Sequence, residues 1–248
     1  MSSSDKHFLV QGEAVTLPAR FWDTAVGLAL FAVPADAVRD IIGYSKLPVL
    51  EVRPGKAVCA LVFIRYAASD LGAYNEFDVT FLVKTPDAGS RGLPGPLGGL
   101  KGAGAFAHRV AVDAGFTLEA GRKIWGFPKV MADIPLHLDS RVKRCAVRFD
   151  GRTAVELHLH PGLPMPSPEA VRFSAFSCMD DVTRRIPWTM APRGVRIRPG
   201  GARVVLGDHP MADELRRLGL HNAHALGSAI VGHAELTIDA ATRVAGAR

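Results

Sequence analysis

Alternation of apolar and polar residues runs through most of the chain. The segments 58–64, 77–83, 142–149, 155–159, 203–206 and 230–238 are rich in apolar side chains that recur largely at alternate positions, which predicts strands. Only two stretches carry helical spacing. The first runs from Asp36 to Ile42 between Pro34 and Gly43. The second starts near Asp208 and Pro210, carries Met211, Leu215 and Leu218, and stops at Gly219. Proline near the start and glycine just past the end is the helix asymmetry that backbone chemistry favours. Two short helices among many strands predict a mainly β, α+β fold. The expected architecture is a single antiparallel sheet system with helical additions, a curved barrel or sandwich around a cavity.

The glycine- and proline-rich stretch 86–104 reads as a long surface loop within one domain spanning 1–248, not as a linker. Its glycines follow neither GxGxxG nor GxxxxGK[ST], so a nucleotide site is not expected there.

With 248 residues, 48% of them apolar, the chain can bury a sizeable core, about 70–75% of its unfolded surface. The three cysteines, Cys59, Cys145 and Cys178, form no CxxC pair. That argues for reduced thiols and a cytoplasmic location, and against a disulfide framework or a thiolate metal site. The net charge of +6 is thinly spread, and aromatic residues make up only 7%, so a nucleic-acid platform is not expected. The most apolar run, 25–35, is far short of the roughly 20 residues a membrane-spanning helix needs. Glu156, His158 and His160 share one strand face, but nothing nominates further ligands, so neither metal nor cofactor is expected. No GxSxG marks a serine nucleophile.

Two segments carry candidate chemistry. In 74–83, Phe77, Val79, Phe81 and Val83 share one strand face, while Tyr74, Glu76, Asp78 and Thr80 share the other. That polar face is either a wet exterior or the wall of a cavity. In the second case Glu76 is a general acid/base and Tyr74 a proton donor. In 121–132, Lys129 sits among Ile124, Trp125, Phe127, Pro128, Val130 and Met131. A lysine in such company either snorkels to the surface or is a desolvated amine, and only a neutral amine is a nucleophile.

Together, Gly72-Ala-Tyr-Asn-Glu76 and Gly121-Arg-Lys-Ile-Trp-Gly-Phe-Pro-Lys129 resemble the acetoacetate decarboxylase superfamily. The likeness extends to 36–42, 224–230 and 234–239, and so covers most of the chain. It implies a mainly β, α+β fold, a curved antiparallel β-barrel or cone around a cavity with a few external helices, and a homo-oligomer. It implies that Lys129 forms a Schiff base with an oxo acid, with Glu76 beside it as acid/base and Tyr74 assisting. Trp125 and Phe127 are expected at the substrate and suit a hydrophobic or aromatic partner. Arg122 is expected to hold the loop or a carboxylate. Decarboxylases of the superfamily have a second adjacent lysine, which here is Val130. A second acid falls near Leu61, and an arginine falls near Thr24, with Arg20 close by as a substrate-binding candidate. Divergent members keep the lysine and use it for aldol condensation, dehydration or retro-aldol chemistry on pyruvate-like acids, and this is the activity expected here. Decarboxylation of acetoacetate or another β-oxo acid is the first alternative. A non-catalytic barrel holding a small ligand is the second.

Overall fold

A computed structural model describes residues 6–85 and 102–244. In chain order the strands and helices are β1 (Lys6–Val10), β2 (Glu13–Leu17), β3 (Ala19–Pro34), α1 (Ala35–Ile42), β4 (Glu51–Arg53), β5 (Lys56–Ser69), β6 (Tyr74–Lys84) and β7 (Ala103–Val112). There follow α2 (Gly115–Ala120), β8 (Lys129–Met131), β9 (Leu136–His137), β10 (Lys143–Phe149), β11 (Arg152–Leu159) and β12 (Leu163–Pro164). The chain ends with β13 (Val171–Met179), β14 (Val182–Pro199), β15 (Ala202–Leu206), α3 (Pro210–Arg217), β16 (Gly227–Ile238) and β17 (Thr242–Arg243).

Both helices read from the sequence form where expected. α1 buries Ala35, Val38 and Ile42 on one face. α3 begins at Pro210, with the His209 Nδ1 accepting the Met211 N–H at its N-terminus. The third, α2, is short and runs directly into a π-turn over Gly121–Trp125. The apolar run at 25–35 lies mostly within β3, and no helix among the described residues is long and apolar enough to cross a membrane. The loop predicted at 86–104 lies, up to residue 101, outside the described residues.

The main sheet runs β12-β14-β13-β7-β6-β5-β3-β16, and β14 also pairs with β16. The 18-residue β14 makes this possible: Val182 to Met190 pair with β13, and Trp188 to Pro199 pair with β16. The sheet therefore curls around an interior, as the cone expectation requires. It is a curled sheet and not a regular closed barrel, because β13 and β7 meet through only two residue pairs, Ala175↔Ala105 and Phe176↔Phe106. Those pairs are parallel, as is β7 with β8, so the sheet departs from a wholly antiparallel one at these junctions.

A smaller sheet, β15-β11-β10-β9, packs with α1 and α3 against the outside of the curl. The core lies between these layers. Phe77, Val79, Phe81 and Val83 of β6 meet Val155 and Leu157 of β11 and Leu215 of α3 there. Strand periodicity then forces the other face of β6 into the interior of the curl.

Candidate active site

The curl encloses a cavity of about 620 Å³. Tyr74, Glu76, Asp78 and Thr80 line it, so the polar face of β6 is an interior wall and not a wet exterior. Register supplies Lys129 to the same wall. Asp78 pairs with Val110, and Val110 pairs with Lys129, which puts the three side chains in one row facing inward. Ala111 pairs with Phe77 on one side and Val130 on the other. Val130 thus faces away from the cavity, and it is 37% exposed.

Lys129 Nζ lies 2.7 Å from Glu76 Oε2. Lys129 is 4% exposed and Glu76 5%, so the pair is nearly sealed from solvent. The contact is ionic in character, with angles outside hydrogen-bond geometry. Lys129 Nζ donates instead to Thr117 Oγ1 at 3.0 Å and stands 5.1 Å from the centre of the Tyr74 ring, a cation–π arrangement. Tyr66 Oη donates to Glu76 Oε1 at a long 3.4 Å. Burial, and next the Glu76 charge, push the Tyr66 and Tyr74 hydroxyls well above the usual phenol range. Both therefore remain donors at any working pH.

Asp78 adds a second carboxyl. Burial, followed by the charge of Glu76, raises it well above the usual carboxylate range, against a smaller opposing pull from Lys129. Its Oδ1 has no hydrogen-bond partner among the described residues. What exposure Asp78 keeps is to the cavity it lines.

The segment that carries Lys129 is held at several points. Gly126 takes a positive φ of 66° just after the π-turn, where its N–H donates to the Arg122 carbonyl. The Phe127 N–H donates to the Gly121 carbonyl. Arg122 Nε donates to the Lys129 carbonyl at 2.8 Å. Trp125 Nε1 donates to the Asp239 carbonyl at 2.8 Å, and Ser177 Oγ donates to the Trp125 carbonyl at 2.6 Å. Gly121 is needed for space, not for its backbone angle: a Cβ there would fall 2.5 Å from Lys129 Cδ and Cε.

Of the residues nominated from sequence, Lys129, Glu76, Tyr74, Trp125 and Phe127 converge on the cavity. Arg122 is exposed and pins the backbone of Lys129, the loop-holding half of its expectation. Arg20 is exposed and off the cavity wall, and its backbone N–H donates to Asp70 Oδ2. The direction of β3 explains this: Ala19 and Phe21 point inward and are buried, so Arg20 between them points out. Leu61 and Thr24, where the resemblance looked for an acid and an arginine, are both fully buried and off the cavity wall.

Sequence reasoning assigned no role to Thr117, Tyr66, Gly121 or Asp78. Asp78 was within reach, since it shares the period-two face of Glu76. Nothing in the sequence links Thr117 or Tyr66 to Lys129.

A curled sheet enclosing a sealed lysine–carboxylate pair defines a protein with an interior polar site at one wall of an otherwise apolar cavity. The family model described as acetoacetate decarboxylase (ADC) matches residues 10–245, and the chain belongs to that family. No curated protein matches it. Among solved structures, acetoacetate decarboxylase from Legionella pneumophila is 18% identical, covering 92% of this chain and 87% of that one, with a TM-score of 0.68. The enduracididine biosynthesis enzyme MppR complexed with pyruvate is 15% identical, covering 92% and 91%, with a TM-score of 0.61. An acetoacetate decarboxylase-like enzyme from Sphingomonas wittichii is 15% identical, covering 93% and 94%, with a TM-score of 0.57. At these identities the likeness establishes the fold.

Proposed function

We propose that this protein is a Schiff-base lyase acting on an oxo acid, with Lys129 as nucleophile and Glu76 as acid/base. The observation that carries the reading is the Lys129–Glu76 pair at 2.7 Å inside the cavity. Glu76 takes a proton from the ammonium, leaving a neutral amine. The amine nitrogen bonds to the substrate carbonyl carbon while the carbonyl oxygen gains a proton. Water then leaves and a protonated imine remains. This imine draws in the electron pair of a bond one carbon away, giving an enamine. Tyr74, kept protonated, serves as an assisting donor.

The bond that breaks sets the activity. Aldol condensation with dehydration, or retro-aldol cleavage, on a pyruvate-like acid is the leading reading. MppR, complexed with pyruvate in one structure and with the condensation product of pyruvate and imidazole 4-carboxaldehyde in another, supports it by analogy of fold. Decarboxylation of a β-oxo acid is the second. The orientation of Val130 favours keeping it, because a cation at that position would lie on the far side of the sheet from Lys129. The missing second lysine therefore does not separate the two activities.

Borohydride trapping is the test. Incubation with oxo acids and borohydride is expected to add the reduced ligand mass to the peptide containing Lys129. Labelling that persists in Lys129→Ala, or none with any carbonyl compound, rejects the reading.

A further inference from the structure

The cavity is far larger and more apolar than a pyruvate-like acid requires. Its 620 Å³ would hold about 20 waters at their liquid volume of ~30 Å³ each. Among the described residues, its charged and hydroxyl groups lie on one side: Tyr74, Glu76, Asp78 and Thr80 of β6, Tyr66 of β5, and Lys129 of β8. The opposite wall comes from β3, β14 and β16 and is apolar apart from the unpartnered indole N–H of Trp188, with Leu28, Met190, Val195, Ile197 and Val231 among its residues. At the rim, Met165, Pro166 and Pro168 line the cavity, and Met165 is 47% exposed. Ordered water needs two to four polar partners, and this wall offers the Trp188 N–H alone among the described side chains.

Charge points the same way. Among the described residues, Lys129 is the one cation on the cavity wall, and Glu76 already faces it. Among the described residues a substrate carboxylate finds no arginine on the wall to receive it, so a short oxo acid gains little from binding here.

Resting on the Schiff-base reading, we infer that the substrate is a carbonyl compound with an extended apolar chain, its carbonyl at Lys129 and its chain along β3, β14 and β16. Burial of the chain supplies the binding energy that offsets placing the reacting end beside Glu76 and Asp78. Each methylene removed from water tightens binding about fourfold, the equivalent of ~0.8 kcal/mol.

The test is borohydride trapping across a homologous series, with pyruvate and acetone compared against their straight-chain homologues of ten carbons. Half-maximal labelling of Lys129 is expected at concentrations at least about 100-fold lower for the long homologues. Equal half-saturation for short and long members overturns the inference and leaves the Schiff-base reading standing. If no carbonyl compound labels Lys129, the Schiff-base reading falls, and calorimetric titration with the ten-carbon methyl ketone then decides the inference. Binding supports it, and absence of binding overturns it. Ala229→Phe, in the apolar wall, is expected to erase the preference for long chains. A folded A229F that keeps the full preference contradicts the placement of the chain. Val195→Phe on the neighbouring strand replaces it if A229F does not fold.

Discussion

Lys129 Nζ and Glu76 Oε2 face each other at 2.7 Å across the junction of β6 with β7 and β8. Neither residue is next to the other in the strand ladder. Glu76 pairs with Val112, and Lys129 pairs with Val110, so the two side chains meet on the diagonal. The pair is sealed, and removing one partner leaves the other as an uncompensated charge.

Lys129→Met is therefore expected to destabilise the protein by about 3–5 kcal/mol. The double variant Lys129→Met with Glu76→Gln is expected to recover a large part of that loss. Chemical denaturation of the parent, both single variants and the double variant measures the coupling. Additive single effects contradict it.

Gly121→Ala tests the steric requirement behind the lysine. A Cβ 2.5 Å from Lys129 Cδ and Cε must push the side chain aside. Overpacking of this kind costs about 1–3 kcal/mol. Imine trapping is expected to slow about tenfold or more, because the amine leaves its position between Glu76 and Thr117. A folded G121A that traps at the parental rate shows that the lysine has room to spare.

Asp78 makes a pH prediction. Its carboxyl is raised in the folded state, by burial first and by Glu76 next. Below the unfolded value of about 3.9 the group is protonated in both states and imposes no cost. As pH rises through that value toward the folded one, the unfolded chain releases the proton and the folded chain keeps it, so stability falls by up to ~1.4 kcal/mol per pH unit. Asp78→Asn removes this slope. It is expected to match the parent at pH 3 and exceed it in stability at pH 7. Parallel stability–pH curves for the two proteins sink the assignment.

Glu214 behaves in the opposite sense. Burial alone would raise its carboxyl, but the hydrogen bonds and charges of His108 and Arg109 outweigh burial and hold it at about 2. His108 Nε2 meets Glu214 Oε1 at 2.8 Å, and Tyr44 Oη meets His108 Nδ1 at 2.9 Å, so this carboxylate ties α3 to β7 and the chain after α1. Its contribution is complete above the unfolded value of about 4.3 and is lost as pH falls from there toward 2. Arg109 is half exposed, and solvent screening reduces the contribution to about 1–2 kcal/mol. Glu214→Gln is expected to lower stability by that amount at pH 7 and to flatten the acid limb between pH 4 and 2. A Glu214→Gln curve with the parental acid limb contradicts the tie.

Val130→Lys separates proximity in sequence from proximity in space. Position 130 faces out, where water and salt screen an added charge. The imine-trapping rate is expected to stay within about twofold of the parent. A larger change means that β8 presents both positions to one site.

Much of this arrangement was legible in the chain. Period-two alternation marked β6 and divided it into an apolar face and a Tyr74–Glu76–Asp78–Thr80 face, and the terminal signals at Pro34, Gly43, Pro210 and Gly219 bracketed α1 and α3. The run ending in Pro128-Lys129 nominated the lysine. β14 was illegible because Pro187, Pro192 and its five arginines break the alternation, yet its two halves pair with different strands and curl the sheet. Local pattern sets which faces a strand has and which of them can be buried. It carries no information on what stands across a cavity. Only the tertiary register brought Lys129 to Glu76, placed Thr117 and Tyr66 around them, and turned Val130 and Arg20 outward, because those relations depend on strand pairings between segments far apart in the chain.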